Sequence, residues 1–172
     1  VSHPFMLDDP GFLQADHIPA SFIHLPDFFQ KTICQHYQPF YYLMNVTLFR
    51  LFPQPAPFYL FNLILFYLNC LCLFIFVRLI SQRYSIALLT SIFFCVHPIN
   101  AENIQHITFN NIFLAGILLQ LSLITLYQFT QQRANTFLYL ASLGSFFLAL
   151  LCIETSLLLP IYAAALDRKS VV

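Results

Sequence analysis

From residue 58 onward the chain consists of apolar runs, and the first run is long enough to cross a lipid bilayer. Residues 58–79 carry a single charged side chain, Arg78, and a helix of about 22 residues is roughly 33 Å long, enough for the hydrocarbon core. Charged residues make up 8% of the whole chain, against about a quarter in soluble domains. The sequence therefore predicts an all-α, polytopic integral membrane protein.

Polar breaks divide the remaining apolar sequence into further predicted crossings. A second segment covers residues 86–96 and a third covers 107–129. The fourth and fifth share residues 137–166, which Glu154 divides. This count gives about five crossings. The alternative is a single tilted helix over 137–166, kinked at Pro160, which would put the carboxyl terminus on the other side of the membrane.

The distribution of charge supports five crossings, because Lys and Arg in short loops accumulate on the cytoplasmic side. With five crossings, all six His and six of the seven acidic residues fall on the opposite side. The amino-terminal region is then external or lumenal, in a bacterial inner membrane or an endoplasmic reticulum. The basic residues that share the cytoplasmic side are Arg78, Arg83, Arg133, Arg168 and Lys169.

Residues 1–57 form the predicted external or lumenal region, and residues 58–172 form the predicted transmembrane helical bundle. The first region holds eight of the ten prolines and has no apolar run near the ~20 residues that a crossing requires. Because it opens without Met, we expect a membrane anchor to precede it. Its segment 40–52 has apolar residues at helical spacing, which predicts an interfacial helix. A core helix under a larger domain is the alternative.

Two of the predicted crossings are too short for a bilayer. Arg83 and His97 are about 14 residues apart, or ~21 Å of helix, and Glu154 and Asp167 are about 13 residues apart, against a core of ~30 Å. His97 and Glu154 are therefore expected below the external membrane surface. Ionisable groups at such depth normally face a bundle interior or a wet cavity, so we expect a polar pocket in the outer leaflet.

The most polar run of the bundle is residues 95–106. Pro98 suits the first position of a new helix, with His97 ending the helix before it. On a continuous helix Glu102 and His106 would be neighbours. A helix cap with a hydrogen-bonded loop is the equally weighted alternative. The polar stripe predicted at three- and four-residue spacing consists of Asn103, His106 and Asn110.

Asp8 and Asp9 are two adjacent carboxylates framed by apolar residues. In an extended segment their side chains point to opposite faces, so one of them can enter a site. A carboxylate there could act as general base toward an acceptor hydroxyl. The alternative is a structural turn before Pro10 and Gly11.

Short motifs in a fixed order resemble the GT-C superfamily. They are the Asp8–Asp9 pair, Tyr37-Gln38-Pro39, Tyr59-Leu60-Phe61-Asn62-Leu63, HPINAENIQHITFNN and CIETSLLLPIYAAALD. The chain is most similar to the membrane portion of transmembrane-and-tetratricopeptide O-mannosyltransferase-like proteins. The resemblance implies transfer of a sugar from a polyprenyl-phosphate donor to a hydroxyl acceptor at the external membrane face.

The resemblance also implies roles for individual residues. One Asp would accept the proton of the acceptor, and the departing lipid phosphate would need positive charge from Arg, Lys or a divalent cation. No metal-ligand set is predicted for that cation. The implied catalytic residues are Asp8, Asp9, His97, Glu102 and Glu154. The implied substrate contacts are Gln38, Asn103, His106 and Asn110.

Three charged positions of the family are neutral or apolar in this chain. Gln38 stands where Arg is expected, Asn110 and Asn111 replace part of a Gly-Arg-x-Asp motif, and Ile153 stands where Lys is usual. Two main hypotheses remain. The chain is a glycosyltransferase in which His97, His106 or a divalent cation replaces the missing charges, or it is a degenerate structural subunit of a membrane complex.

A third hypothesis is an ion-passage or proton-passage subunit, or a metal-binding subunit with zinc held by His97, Glu102 and His106. The expected partners are membrane lipid and other membrane protein subunits, with a polyprenyl-phosphate sugar if the chain is an enzyme. Nucleic acid is excluded as a partner, because seven basic and seven acidic residues give a net charge of +0 and no field that holds phosphates.

Overall fold

The computed structural model describes residues 38–52, 54–106, 109–132, 136–158 and 160. Every regular element in these ranges is a helix, as the sequence predicts. The elements are α1 Pro39–Leu51, α2 Pro55–Ser81, α3 Tyr84–Val96, α4 Pro98–Gln105, α5 Asn110–Gln132, α6 Thr136–Leu150 and a 3₁₀ turn Glu154–Leu158.

Two of the described helices are long and apolar enough to cross a membrane. They are Ala56–Ser81 within α2 and Asn110–Gln131 within α5. Helices α3 and α4 pass the same test together, with a bend of 55° between them. Helix α6 has 15 residues, or roughly 22 Å. The described part of the chain thus contains two or three candidate spans, and the predicted five crossings are not confirmed.

Helices α2 and α3 form an antiparallel hairpin. Phe66 stacks on Phe94 with ring centroids 6.1 Å apart, and Phe74 meets Tyr84 edge to face at 5.5 Å. The hairpin turns at Gln82, which ends α2 in the left-handed conformation with φ 56°. Of these two contacts, the one between Phe74 and Tyr84 is nearer the turn along both helices. The two helices are therefore antiparallel.

Helix α5 lies parallel to α2 and antiparallel to α6. Phe66 packs on Phe113 at 5.5 Å, and the Asn69 amide donates to the Phe113 carbonyl at 3.0 Å. Ser122 and Ser142 exchange hydrogen bonds between α5 and α6. The starts of α2 and α5 therefore lie at the same end as the ends of α4 and α6. We call it the amide end, for the buried side chains Gln38, Asn45, Asn62, Asn103, Asn110 and Asn111.

Helix α1 lies across the amide end. It begins at Pro39, which has no N–H to satisfy, and the next N–H, of Phe40, donates to the Leu151 carbonyl at 3.3 Å. The predicted helix over 40–52 is confirmed and ends one residue early, at Leu51. Its buried side is formed by Tyr41, Tyr42, Asn45 and Val46.

The apolar stretch 137–166 breaks directly after α6. The helix ends at Leu150, and the 3₁₀ turn starts at Glu154, so the predicted division near Glu154 is confirmed. A single helix kinked at Pro160 is wrong. At the end of α6, Ala149 O accepts from Ser156 Oγ at 3.1 Å in addition to the Ile153 N–H, and Leu151 O accepts from the Phe40 N–H.

Candidate functional site

His97 forms the junction between α3 and α4. It follows the last residue of α3, and its Nδ1 accepts from the Ile99 N–H at 3.4 Å as the cap of α4, with Pro98 in the first helical position. The sequence predicts that a helix ends at His97 and that the next begins at Pro98, and both predictions are confirmed. The His97 side chain is exposed, whereas Asn100 on the other side of α4 is buried and donates to the Phe94 carbonyl. That bond fixes the 55° bend.

The predicted polar stripe along α4 is interrupted. Helix α4 ends at Gln105, and His106 leaves the helix with φ −95° and ψ 120°. Glu102 and His106 are connected through the backbone, the His106 N–H donating to the Glu102 carbonyl at 3.3 Å. Since Asn110 starts a new helix, a stripe that requires one helix from Asn103 to Asn110 does not form.

Asn62 of α2 explains why α4 ends where it does. Its Nδ2 donates to the carbonyls of His106 at 2.9 Å and Ile104 at 3.5 Å. A continuous helix would pair the His106 carbonyl with the Asn110 N–H. That carbonyl instead accepts from Asn62 and from the Phe109 N–H. Asn62 is 0% exposed, and its Oδ1 has no partner among the described residues.

Two amide pairs connect α1 to the start of α5. Asn45 and Asn110 exchange hydrogen bonds, at 3.3 Å in one direction and 2.8 Å in the other. Asn111 Nδ2 donates to Gln38 Oε1 at 3.0 Å. All four side chains are buried, at 9% exposure or less. Gln38 and Asn110, two of the predicted substrate contacts, therefore bind other parts of the same chain.

The remaining predicted site residues differ in exposure. Glu102 and Glu154 are exposed, His106 is half-buried beside the Phe109 ring, and Asn103 is buried. All four lie on elements that end or begin at the amide end. Asp8 and Asp9 lie outside the described residues.

The described residues contain no group of three His, Cys, Asp or Glu side chains that could hold a metal ion. His97, Glu102 and His106 are all described, so the predicted zinc set does not form. Only Glu102 lies within α4, because His97 is at the bend before it and His106 follows its end. This leaves the hydrogen-bonded cap and loop as the structure of the run 95–106.

A groove of about 640 Å³ lies between α2 and α3. We call it the α2–α3 groove. Its lining is apolar, so it does not match the polar pocket that the sequence predicts. The lining residues are Leu63, Ile64, Phe66, Tyr67, Leu68, Cys70, Ser91, Ile92 and Cys95.

Four amides that sequence reasoning did not single out also make contacts between elements: Asn45, Asn62 and Asn69 are buried, and Gln120 is half-buried. Gln120 Nε2 donates to Asn69 Oδ1 at 2.8 Å, which connects α5 to α2 inside the predicted membrane region. Each lies within an apolar helix. An amide side chain within an apolar helix costs free energy unless it is hydrogen-bonded. An Asn or Gln inside an apolar run was therefore the sequence signal for these contacts.

Comparisons with protein-family models, with curated proteins and with solved structures found no match to this chain.

Proposed function

We propose that this chain is a GT-C-like structural subunit of a membrane protein complex. The supporting observation is the hydrogen bond from Asn111 to Gln38, at 3.0 Å between buried side chains. Gln38 stands where the family resemblance implies Arg. In a transferase that Arg would face the donor phosphate, whereas here the neutral amide holds α1 against α5.

The chemistry of the amide end favours packing over phosphate binding. A departing phosphate requires a cation or several directed donors. The four amides of the two pairs between α1 and α5 bond one another, and Asn45 Nδ2 and Asn111 Oδ1 also bond backbone groups of the same chain. Arg50 is the one Lys or Arg on the described helices at this end, and its side chain is exposed. The described residues at the amide end therefore offer few cationic groups to bind a phosphate-containing donor.

The proposal includes the topology that the charges predict. The chain would cross the membrane five times, with residues 1–57 external or lumenal, in a bacterial inner membrane or an endoplasmic reticulum. Two described helices, α3 and α6, present apolar side chains outward, including Phe93 and Phe147. These faces are available to lipid and to helices of partner subunits.

Purification in a mild detergent tests the structural role. We expect the tagged chain to elute with another membrane protein at a constant ratio through size exclusion and a second column. Asn45→Leu combined with Asn110→Leu should release α1 and reduce that ratio, whereas Thr47→Val, whose hydroxyl bonds only within α1, should leave it unchanged. A monodisperse, unpartnered chain would refute the proposal.

A glycosyltransferase is the second candidate, and one observation favours it. Exposed Glu102 and Glu154 both lie at the amide end. If the chain is an enzyme, purified protein consumes a polyprenyl-phosphate sugar, and Asp8→Asn with Asp9→Asn abolishes turnover. Unchanged turnover in the double variant would reject this assignment of the base.

A further inference from the structure

Helices α2 and α3 share a face that runs from the α2–α3 groove to the turn between them. On α2, Arg78 follows Tyr67 by 11 residues, which is about three helical turns, so both residues lie on one side of the helix. Phe74 lies between them on that side and contacts Tyr84, at the start of α3, at 5.5 Å. Because Tyr67 lines the groove, Arg78 stands at the turn end of the same face.

The turn end of this face carries two positive charges. Arg78 and Arg83 are both exposed, and the turn between them is tight, because the Gln82 N–H donates to the Arg78 carbonyl at 3.1 Å. The acidic residues of the described ranges are Glu102 and Glu154, which both lie at the amide end. The guanidinium groups therefore have no described carboxylate near them. Arg binds phosphate well, because its planar fork of donors matches two phosphate oxygens.

The walls of the groove suit an acyl chain better than a helix of another protein. Leu63, Ile64, Tyr67 and Ile92 line it and are 47–67% exposed. Helices that pack together in a membrane usually do so through Gly, Ala, Ser or Thr, which allow close approach. No described lining residue is Gly, Ala or Thr, and the Oγ of the one Ser, Ser91, is buried. Large side chains on both walls keep a second helix at a distance, whereas a flexible hydrocarbon chain can follow their outline.

The distance between the groove and the arginines matches the dimensions of a phospholipid. Cys70, the lining residue of α2 nearest the turn, precedes Arg78 by 8 residues, or roughly 12 Å of helix. Tyr67 precedes Arg78 by 11 residues, or roughly 16 Å. One leaflet of the hydrocarbon core is about 15 Å deep, half of the full ~30 Å. A lipid with its phosphate at Arg78 therefore has its acyl chain beside Cys70 and Tyr67.

We propose that the α2–α3 hairpin binds an anionic phospholipid, with its phosphate at Arg78 and Arg83 and one acyl chain in the α2–α3 groove. Under the topology proposed above, this end faces the cytoplasm, where anionic lipids give the leaflet its negative surface potential. Binding in detergent depends neither on that orientation nor on a partner subunit. The lipid site can therefore be tested separately from the structural role proposed above.

Native mass spectrometry of the full chain in detergent tests the head-group contacts. The protein is titrated with dioleoyl phosphatidylglycerol, and with dioleoyl phosphatidylcholine as the lipid of zero net charge. We expect the first phosphatidylglycerol to bind about tenfold or more tightly than phosphatidylcholine, and Arg78→Gln or Arg83→Gln to weaken its binding about fivefold each. The matched control is Arg50→Gln, which removes an exposed cation at the amide end and should leave the affinity unchanged. Equal affinity for the two lipids, or a loss in Arg50→Gln equal to that in the other two variants, would overturn the proposal.

Filling the groove tests the acyl-chain contact. Ile92→Trp places a large side chain in the groove and should weaken phosphatidylglycerol binding about tenfold. Leu89→Trp is the matched control, because Leu89 is exposed on the same helix but does not line the groove. Thermal unfolding followed by circular dichroism shows whether each variant is folded, and Ile92→Phe replaces Ile92→Trp if the latter unfolds. Equal binding by the folded Ile92 variant and wild type, or an equal loss in Leu89→Trp, would also overturn the proposal.

Discussion

Buried and half-buried amide side chains connect the helices of this protein. Asn45 pairs with Asn110 across a sequence separation of 65 residues, and Asn69 pairs with Gln120 across 51. In an apolar environment such bonds contribute about 0.6–2 kcal/mol each. Because an amide has both a donor and an acceptor, each pair fixes the rotation of both helices. The amides therefore specify register where apolar side chains alone would allow sliding.

Replacing one member of the Asn45–Asn110 pair should be costly. Asn45→Leu or Asn110→Leu leaves a buried amide without its partner, and we expect the free energy of unfolding to fall by about 1–2 kcal/mol in either variant. The double variant should be less destabilised than the sum of the two by about 1 kcal/mol, because both partners are gone. Unfolding in mixed detergent micelles measures all three.

The control for this cycle is Thr47→Val on the same helix. The Thr47 hydroxyl donates to the Leu43 carbonyl at 2.8 Å and contacts no other helix through that bond, so its loss should change the unfolding free energy by less than about 0.5 kcal/mol. Strictly additive effects at Asn45 and Asn110 would mean that the pair contributes no coupling.

At the scale of helices, the close approach of α2 and α5 depends on Gly116. A Cβ built there would clash with Asn69 Nδ2, which donates to the Phe113 carbonyl. Gly116→Ala should therefore displace Asn69 and lower the free energy of unfolding by about 1–3 kcal/mol. Thermal unfolding in detergent is the measurement.

Gly144 on α6 is the matched control, because a Cβ there meets nothing within 4 Å. Gly144→Ala should leave stability unchanged or raise it by up to about 1 kcal/mol, since Ala has the higher helix propensity. Equal effects of the two substitutions would contradict the packing described between α2 and α5.

The turn between α2 and α3 carries a second element-scale prediction. Gln82 has φ 56°, a left-handed conformation that favours glycine at the end of a helix. Gln82→Gly should raise the unfolding free energy by up to about 1 kcal/mol, although it removes the side-chain bond to the Leu79 carbonyl. Arg83→Gly, in an extended conformation, should lower it. A loss of stability in Gln82→Gly would be the contrary result.

The sequence predicted the elements better than their contacts. Proline at the first helical position predicted where α1 and α4 begin, and hydropathy predicted α2. Both signals can be read from neighbouring residues alone. The end of α4 at Gln105 was not predictable, because it depends on an Asn62 bond to the His106 carbonyl from another helix. The pairing of Gln38 with Asn111 was equally hidden, since any amide can pair with any other.

At the scale of the whole molecule, the parallel direction of α2 and α5 requires the chain to return between them. Helix α2 leaves the amide end, and α5 starts there with Asn110 paired to Asn45. The connection is α3 with α4, whose end contacts Asn62. The bend at His97 therefore lies within the 22 residues from Tyr84 to Gln105 that lead back to the amide end. That length is sufficient for one membrane crossing interrupted by a bend.

Cysteine accessibility tests whether that path crosses the membrane. In a variant without native cysteines, Arg83→Cys and Glu102→Cys place single exposed thiols at opposite ends of the bent pair α3–α4. We expect a membrane-impermeant maleimide to label Glu102→Cys from outside intact cells or sealed vesicles, and Arg83→Cys only after permeabilisation. Thr136→Cys, at the start of α6, should behave like Arg83→Cys, because α6 starts at the end away from the amides. Labelling of both Arg83→Cys and Glu102→Cys from the same side would show that α3 and α4 form a re-entrant loop. In that case α2 and α5 could not both cross the membrane in the same direction.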